Sequence, residues 1–185
     1  MEATTKDRSA PGAVEAPAIE TQLRSSKLIS IVALMAIIVG IGSMLGGIAG
    51  GVYTYQQAAV ENIVTPDDAR IPGADVRGPL TMWAQSDIIT HHQLERTEGL
   101  RYAEMERMVP QVDEAGEPVI GEDGEPVMVP NQERLSWIDA TSLTTVLGVG
   151  IMAYALAAFA FVVGATLLGL GLVLMRLRRT ALGLI

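Results

Sequence analysis

No cysteine occurs in the 185 residues, which excludes disulfides, thiolate metal centres and thiol nucleophiles. Histidine is nearly absent too, with His91 and His92 the only two, so a histidine-rich metal or general-base site has little to draw on. Two runs lack charge altogether: Leu28 to Val52, 25 residues, and Leu143 to Met175, 33 residues. Neither contains Asp, Glu, Lys, Arg or His, the side chains that mark proton relays, ion paths and substrate sites within a bilayer, which argues against a channel or transporter. Lysine is missing from residues 55–142, where 17 acids face 6 arginines for a balance of -11 within a whole-chain charge of -8.

What remains is segregated. About 20 apolar residues cross a ~30 Å hydrocarbon core as a helix, so each run is long enough to span a membrane. The expected fold is a mainly α membrane protein. It is a two-transmembrane-helix hairpin with a mixed, mostly helical extracytoplasmic domain and a short β-hairpin-like repeat. The chain divides into a disordered cytoplasmic tail at 1–27, a first span at 28–54 and an acidic extracytoplasmic domain at 55–142. A second span at 143–175 and a basic cytoplasmic tail at 176–185 complete it. The first run is too long for the h-region of a signal peptide and lacks a clear cleavage site, so it is expected to stay as an anchor. Arg24 and Lys27 precede the first span and Arg176, Arg178 and Arg179 follow the second. By the positive-inside rule both termini of this multi-pass protein face the cytoplasm at the cell membrane.

The first span carries six glycines from Gly40 onward. The pairs Gly42/Gly46, Ser43/Gly47, Gly46/Gly50 and Gly47/Gly51 are four apart, as are Ala153/Ala157, Ala160/Gly164 and Ala165/Gly169 in the second span. Small residues at this spacing let helix backbones approach closely. Two uses are open: packing the two spans on each other, or docking onto a foreign membrane helix.

Between the spans, turn signals crowd 56–79, and Leu80 to Glu98 is a helix candidate with Pro79 in the first turn and Gly99 as its C-terminal cap. At ~100° per residue, Leu80, Trp83, Ala84, Ile88 and Leu94 share one face. A second short helix is expected over Tyr102 to Met108. An internal repeat follows: Glu114-Ala-Gly-Glu-Pro-Val-Ile recurs eight residues on as Glu122-Asp-Gly-Glu-Pro-Val-Met. Each copy is an acid-Gly turn, a proline and a short apolar stretch, so 111–130 is expected to form a β-hairpin or meander. The acids lack the oxygen spacing of an EF-hand loop.

Asp87, His91, His92 and Glu95 form the one cluster with metal-ligand character, and an extracytoplasmic metal-binding membrane protein is the alternative function they support. Asp87, His91 and Glu95 lie on one side of a helix, but i and i+8 are ~12 Å apart along the axis, too far for all three to reach one ion easily. His92 points ~100° away from His91. Residues hydrogen-bonded within the outer domain explain the same pattern. No serine or threonine has a recognisable base partner and no glycine loop suits phosphate. The expected catalytic, cofactor-binding and metal residues are therefore none, and the chain is expected not to be an enzyme.

Several stretches resemble one family. Glu61-Asn-Ile with Pro66-Asp-Asp-Ala, Gly73-Ala-Asp-Val-Arg-Gly-Pro, and Ala84-Gln-x-Asp with Ile89, His92, Leu94-Glu, Thr97, Gly99 and Tyr102-Ala-Glu carry the likeness, together with Ser142-Leu-Thr-Thr at the second span. Over about 28–108 and 134–175 they resemble small two-span membrane proteins of actinobacteria. Members often bear the label aromatic ring-opening dioxygenase, and the family is similar to the accessory factor of the respiratory supercomplex of cytochrome bcc (complex III) and cytochrome c oxidase (complex IV). The repeat at 111–130 looks like an insertion relative to shorter members. The resemblance implies a non-catalytic accessory or assembly subunit whose partners are membrane subunits of that electron-transport complex. No cofactor, nucleic acid or small-molecule substrate is expected. The dioxygenase label does not suit the residues: a non-haem iron site needs two histidines and a carboxylate arranged facially, and the only histidines here are sequence neighbours.

Overall fold

The computed structural model describes the backbone of residues 16–181 and the side chains of residues 27–180. The fold is mainly helical, with three helices: α1 (Ala16–Val60), α2 (Pro79–Arg96) and α3 (Gln132–Ala181). Strands β1 (Met108–Pro110) and β2 (Met128–Pro130) pair antiparallel, with Val109 opposite Val129. Within α1, Lys27–Val60 is long and apolar enough to cross a membrane, and so is Gln132–Thr180 of α3.

Both long helices overrun their apolar runs. α1 has 45 residues and α3 has 50, about 68 and 75 Å at ~1.5 Å per residue. α1 is helical ahead of Leu28, from Ala16 onward. The rest of the expected tail, residues 1–15, lies outside the described residues. α3 starts ahead of Leu143 because Asn131 caps it. The Asn131 side-chain oxygen accepts from the Arg134 amide at 3.1 Å, and its carbonyl accepts from the Leu135 amide at 3.0 Å. Asn131 is itself fastened by donating its amide to Arg107 O and its side-chain nitrogen to Glu106 O.

The described chain falls into two compact units, one made of residues up to Ile48 with those from Phe159 onward, the other of Ala49–Ala158. In the first unit α1 and α3 run antiparallel with backbones in contact. A Cβ added at Gly164 would lie 2.6 Å from the Gly40 carbonyl oxygen and 2.7 Å from the Met44 nitrogen. One at Gly40 would lie 2.7 Å from the Leu168 nitrogen, and one at Gly171 would lie 2.8 Å from the Ala33 carbonyl oxygen. These approaches exist because the residues have no side chain to hold the helices apart.

In the second unit Val76, Met82 and Leu147 form a small core, with Ala58, Ile63, Ile89, Ile151 and Tyr154 packed against it. The loop from Glu61 to Gly78 winds around the buried hydroxyl of Thr65, which accepts from the Ala74 amide at 2.9 Å and donates to the Ile71 carbonyl. The Tyr154 hydroxyl of α3 donates to the Arg77 carbonyl. On the α1 side, a hydrogen bond with Tyr55, reinforced by the charge of Asp75, holds the Arg77 guanidinium above its ordinary range. The Tyr154 hydroxyl thereby ties the Gly73–Pro79 loop to α3.

Two expectations need correction. Of the expected apolar face of α2, Ala84 and Ile88 are buried, but Leu80 and Trp83 are 71% and 47% exposed, and Met82 and Gln93 are buried in addition. The reason is polar: Gln93 donates to the Ser136 hydroxyl at 2.6 Å, which turns that side of α2 toward α3, while the Trp83 ring stays outside beneath Arg70. Residues 102–108 are not a helix. One turn closes where Glu104 N donates to Arg101 O, and the chain then enters β1.

In the repeat, the Pro-Val-Ile and Pro-Val-Met stretches form isolated bridges, Val112 to Pro118 and Ile120 to Pro126, and the three-residue strands lie at its margins. Three amides close a ring at its centre: Gln111 N donates to Val127 O, Val127 N to Val119 O, and Val119 N to Gln111 O. Gly116 and Gly124, eight residues apart, both take φ near +82°, a left-handed conformation that L side chains rarely adopt. Each eight-residue copy is thus a tight turn that returns the chain to this ring, which leaves too few residues for regular strands.

Candidate interaction surfaces

The structure sorts the small-residue pairs by direction. Gly47 and Gly164 are buried, and Ser43, Gly51, Ala153, Ala157 and Ala160 are half-buried. These pairs face the opposite helix, with Ala157 Cβ 3.8 Å from a Cβ built on Gly50. Gly42 and Gly46 are exposed, and a Cβ added at either meets nothing within 4 Å. Ala165 and Gly169 are likewise exposed, with open space beside Gly169. Four-residue spacing therefore serves two faces: one closes the hairpin, and the other is uncovered and flanked by exposed Ile38, Leu45 and Ile48.

Sequence reasoning missed Gly40 and Gly171, which make two of the three tightest approaches. Their signal is a seven-residue interval, Ala33, Gly40, Gly47 on α1 and Gly164, Gly171 on α3. Seven residues return a helix to nearly the same face, so this interval marks a seam more directly than intervals of four.

In the second unit a cleft of about 730 Å³ is walled by Tyr53, Ile63, Val76, Met82, Leu147 and Gly150. Gln85 also lines it, and its side-chain oxygen is buried without a hydrogen-bond partner. The cleft is apolar with few polar groups and falls in the ~300–1,000 Å³ range of ligand pockets.

The suspected metal-binding residues go to separate partners. Asp87 pairs with Arg70 at 2.7 Å, His91 with Glu95 at 3.2 Å, and His92 with Asp68 at 2.6 Å. His91 and Glu95 are brought together; Asp87 and His92 are drawn off by loop residues that local spacing does not reveal. Among the described residues, no group of three or more His, Asp and Glu is placed to hold a metal ion.

The His92 hydrogen bond is the main cause holding the Asp68 carboxyl below its ordinary value of 3.8. A carboxyl depressed in the folded state contributes stability above its unfolded pKa and loses it as pH falls through the folded value. His92→Ala is expected to return the Asp68 titration toward 3.8. Carbon-detected NMR of the side-chain carboxyl would show the upward shift, with no change in unfolding midpoint at neutral pH beyond the small effect of an exposed pair. An unshifted titration would contradict the pairing.

Comparison with protein-family models, with curated proteins and with solved structures finds no match to this chain.

Proposed function

We propose that this chain is a non-catalytic accessory or assembly subunit of a larger membrane complex, and that the complex is the actinobacterial respiratory supercomplex of cytochrome bcc and cytochrome c oxidase. The observation that carries the reading is the uncovered Gly42/Gly46 face of the uncharged Leu28–Val52 run, whose Gly40 and Gly47 are buried toward the opposite helix. In lipid, helices associate through close backbone packing and not through a hydrophobic drive, so small residues facing outward mark where another helix fits. The resemblance over about 28–108 and 134–175 to the two-span family supplies the identity of the complex.

In this reading both helices cross the membrane, the termini are cytoplasmic, and the 55–142 segment lies outside. Its strongly acidic balance favours a basic partner surface and disfavours close approach by anything acidic. The contact made by the helices dominates the affinity.

The histidines then have a local structural role. His91→Ala with His92→Ala is expected to leave the supercomplex assembled and its oxygen consumption within about twofold of wild type, because exposed ion pairs stabilise by only ~0–1 kcal/mol. Respirometry on membranes from the double variant checks this. Abolished oxygen uptake with assembly intact would replace the structural reading with a chemical one.

A further inference from the structure

We infer that the groove at the Arg176 end of the helix hairpin binds one anionic phospholipid, its phosphodiester held by Arg176 and Arg179 and an acyl chain laid along Ile37, Leu172 and Met175. This rests on the membrane-spanning reading and goes beyond it by assigning a ligand and the residues that hold it.

The groove has a volume of about 340 Å³ and is lined by Ile37 of α1 and Leu172, Met175, Arg176 and Arg179 of α3. Its composition changes along its length. Ile37, Leu172 and Met175 give a hydrocarbon wall, and the two arginines close one end. Arg176 and Arg179 are three residues apart, so their side chains rise from adjoining positions on one helix face. Both are exposed, and neither has an ion-pair partner among the described residues. Two guanidinium groups side by side repel unless an anion lies between them. A phosphodiester suits that position because its paired oxygens accept from planar guanidinium forks.

The apolar wall then separates a lipid from a free anion. Inorganic phosphate would satisfy the arginines and leave Ile37, Leu172 and Met175 uncovered. An acyl chain attached to the phosphate covers them in the same binding event. In the membrane-spanning reading Arg176 and Arg179 lie at the cytoplasmic surface, against the leaflet that carries anionic headgroups. Arg178 lies on the same turn but does not line the groove, and this makes it an internal control for bulk charge.

The test uses the full chain purified in a neutral detergent, with lipid retention read by native mass spectrometry. Wild-type protein is expected to retain one dioleoyl phosphatidylglycerol at least tenfold more tightly than dioleoyl phosphatidylcholine, and to show no retention of inorganic phosphate. Arg176→Gln with Arg179→Gln is expected to abolish that preference, and Arg178→Gln, which removes one charge beside the groove, to preserve it. Leu172→Gln is expected to weaken phosphatidylglycerol retention with both arginines present. Equal retention of the two lipids, an unchanged preference in the double variant, or an equal loss in Arg178→Gln overturns the inference. Retention of inorganic phosphate as tight as that of phosphatidylglycerol overturns the lipid assignment in favour of a plain anion site. Alkaline extraction of cell membranes tests the underlying reading separately: a chain that stays in the pellet but shows no lipid preference defeats this inference alone, and a chain released to the supernatant defeats the membrane reading beneath it.

Discussion

Gly164→Ala is expected to lower the unfolding midpoint of the purified chain by several degrees, whereas Gly46→Ala is expected to leave it unchanged or raise it slightly. At Gly164 the added Cβ would meet backbone atoms, Gly40 O at 2.6 Å and Met44 N at 2.7 Å, and not the end of a flexible side chain. No rotamer relieves such an approach, so α1 and α3 must move apart over several turns and lose the dispersion contacts that close packing supplies. Overpacking of this kind costs about 1–3 kcal/mol, equivalent to ~2–4 °C per kcal/mol for a chain of 150–250 residues. The same methyl at Gly46 meets nothing within 4 Å and removes the conformational freedom of a mid-helix glycine, worth up to ~1 kcal/mol. Thermal unfolding followed by circular dichroism in one detergent compares the two. Equal destabilisation by both would mean that the hairpin is not closed through the Gly40, Gly164 and Gly171 seam.

In the proposed role, Gly46→Leu is expected to release the chain from the complex while sparing the hairpin. The leucine side chain projects into the space where a partner backbone would lie against Gly42 and Gly46. An interface built on backbone approach cannot absorb four extra carbons by side-chain rearrangement. The amount of chain recovered with the complex from mild detergent is expected to fall at least tenfold, which corresponds to about 1.4 kcal/mol. Monomer stability and membrane insertion are expected to match wild type. Gly164→Leu gives the complementary result: it disrupts the hairpin first, and any loss of the complex follows from that. If Gly46→Leu is recovered with the complex as fully as wild type, the uncovered glycine face is not the docking surface.

The parts of this architecture that could be read from sequence are those set by local composition. Two uncharged runs specify the two long helices, and Pro79 with Gly99 brackets α2 closely. The parts that could not be read depend on residues distant in the chain. Intervals of four do not say which glycine faces which helix, because a helix wholly apolar around its circumference gives no polar side as a reference; burial of Gly40, Gly47, Gly164 and Gly171 resolves it. On α2 the burial of Ala84 and Ile88 is legible from spacing, but that of Gln93 is not, because it depends on a side-chain bond to Ser136, 43 positions away. Asp87 and His92 look like partners of His91 only until Arg70 and Asp68 are brought in by a loop wound on Thr65. The early start of α3 did carry a readable signal, since Asn131-Gln-Glu after Pro130 is an N-terminal cap followed by an acid in the first turn.

In the proposed role the chain is held in a respiratory complex by its helices. Native purification tests this: the chain is tagged at its C-terminus, extracted from the membranes of its own cells in mild detergent, and its partners are identified and quantified by mass spectrometry. Cytochrome bcc and cytochrome c oxidase subunits are expected in fixed proportion to the chain, retained through a high-salt wash because the helix contact dominates over the acidic segment, and lost in Gly46→Leu. A chain that elutes alone, or whose partners dissociate in high salt and persist in Gly46→Leu, would contradict it.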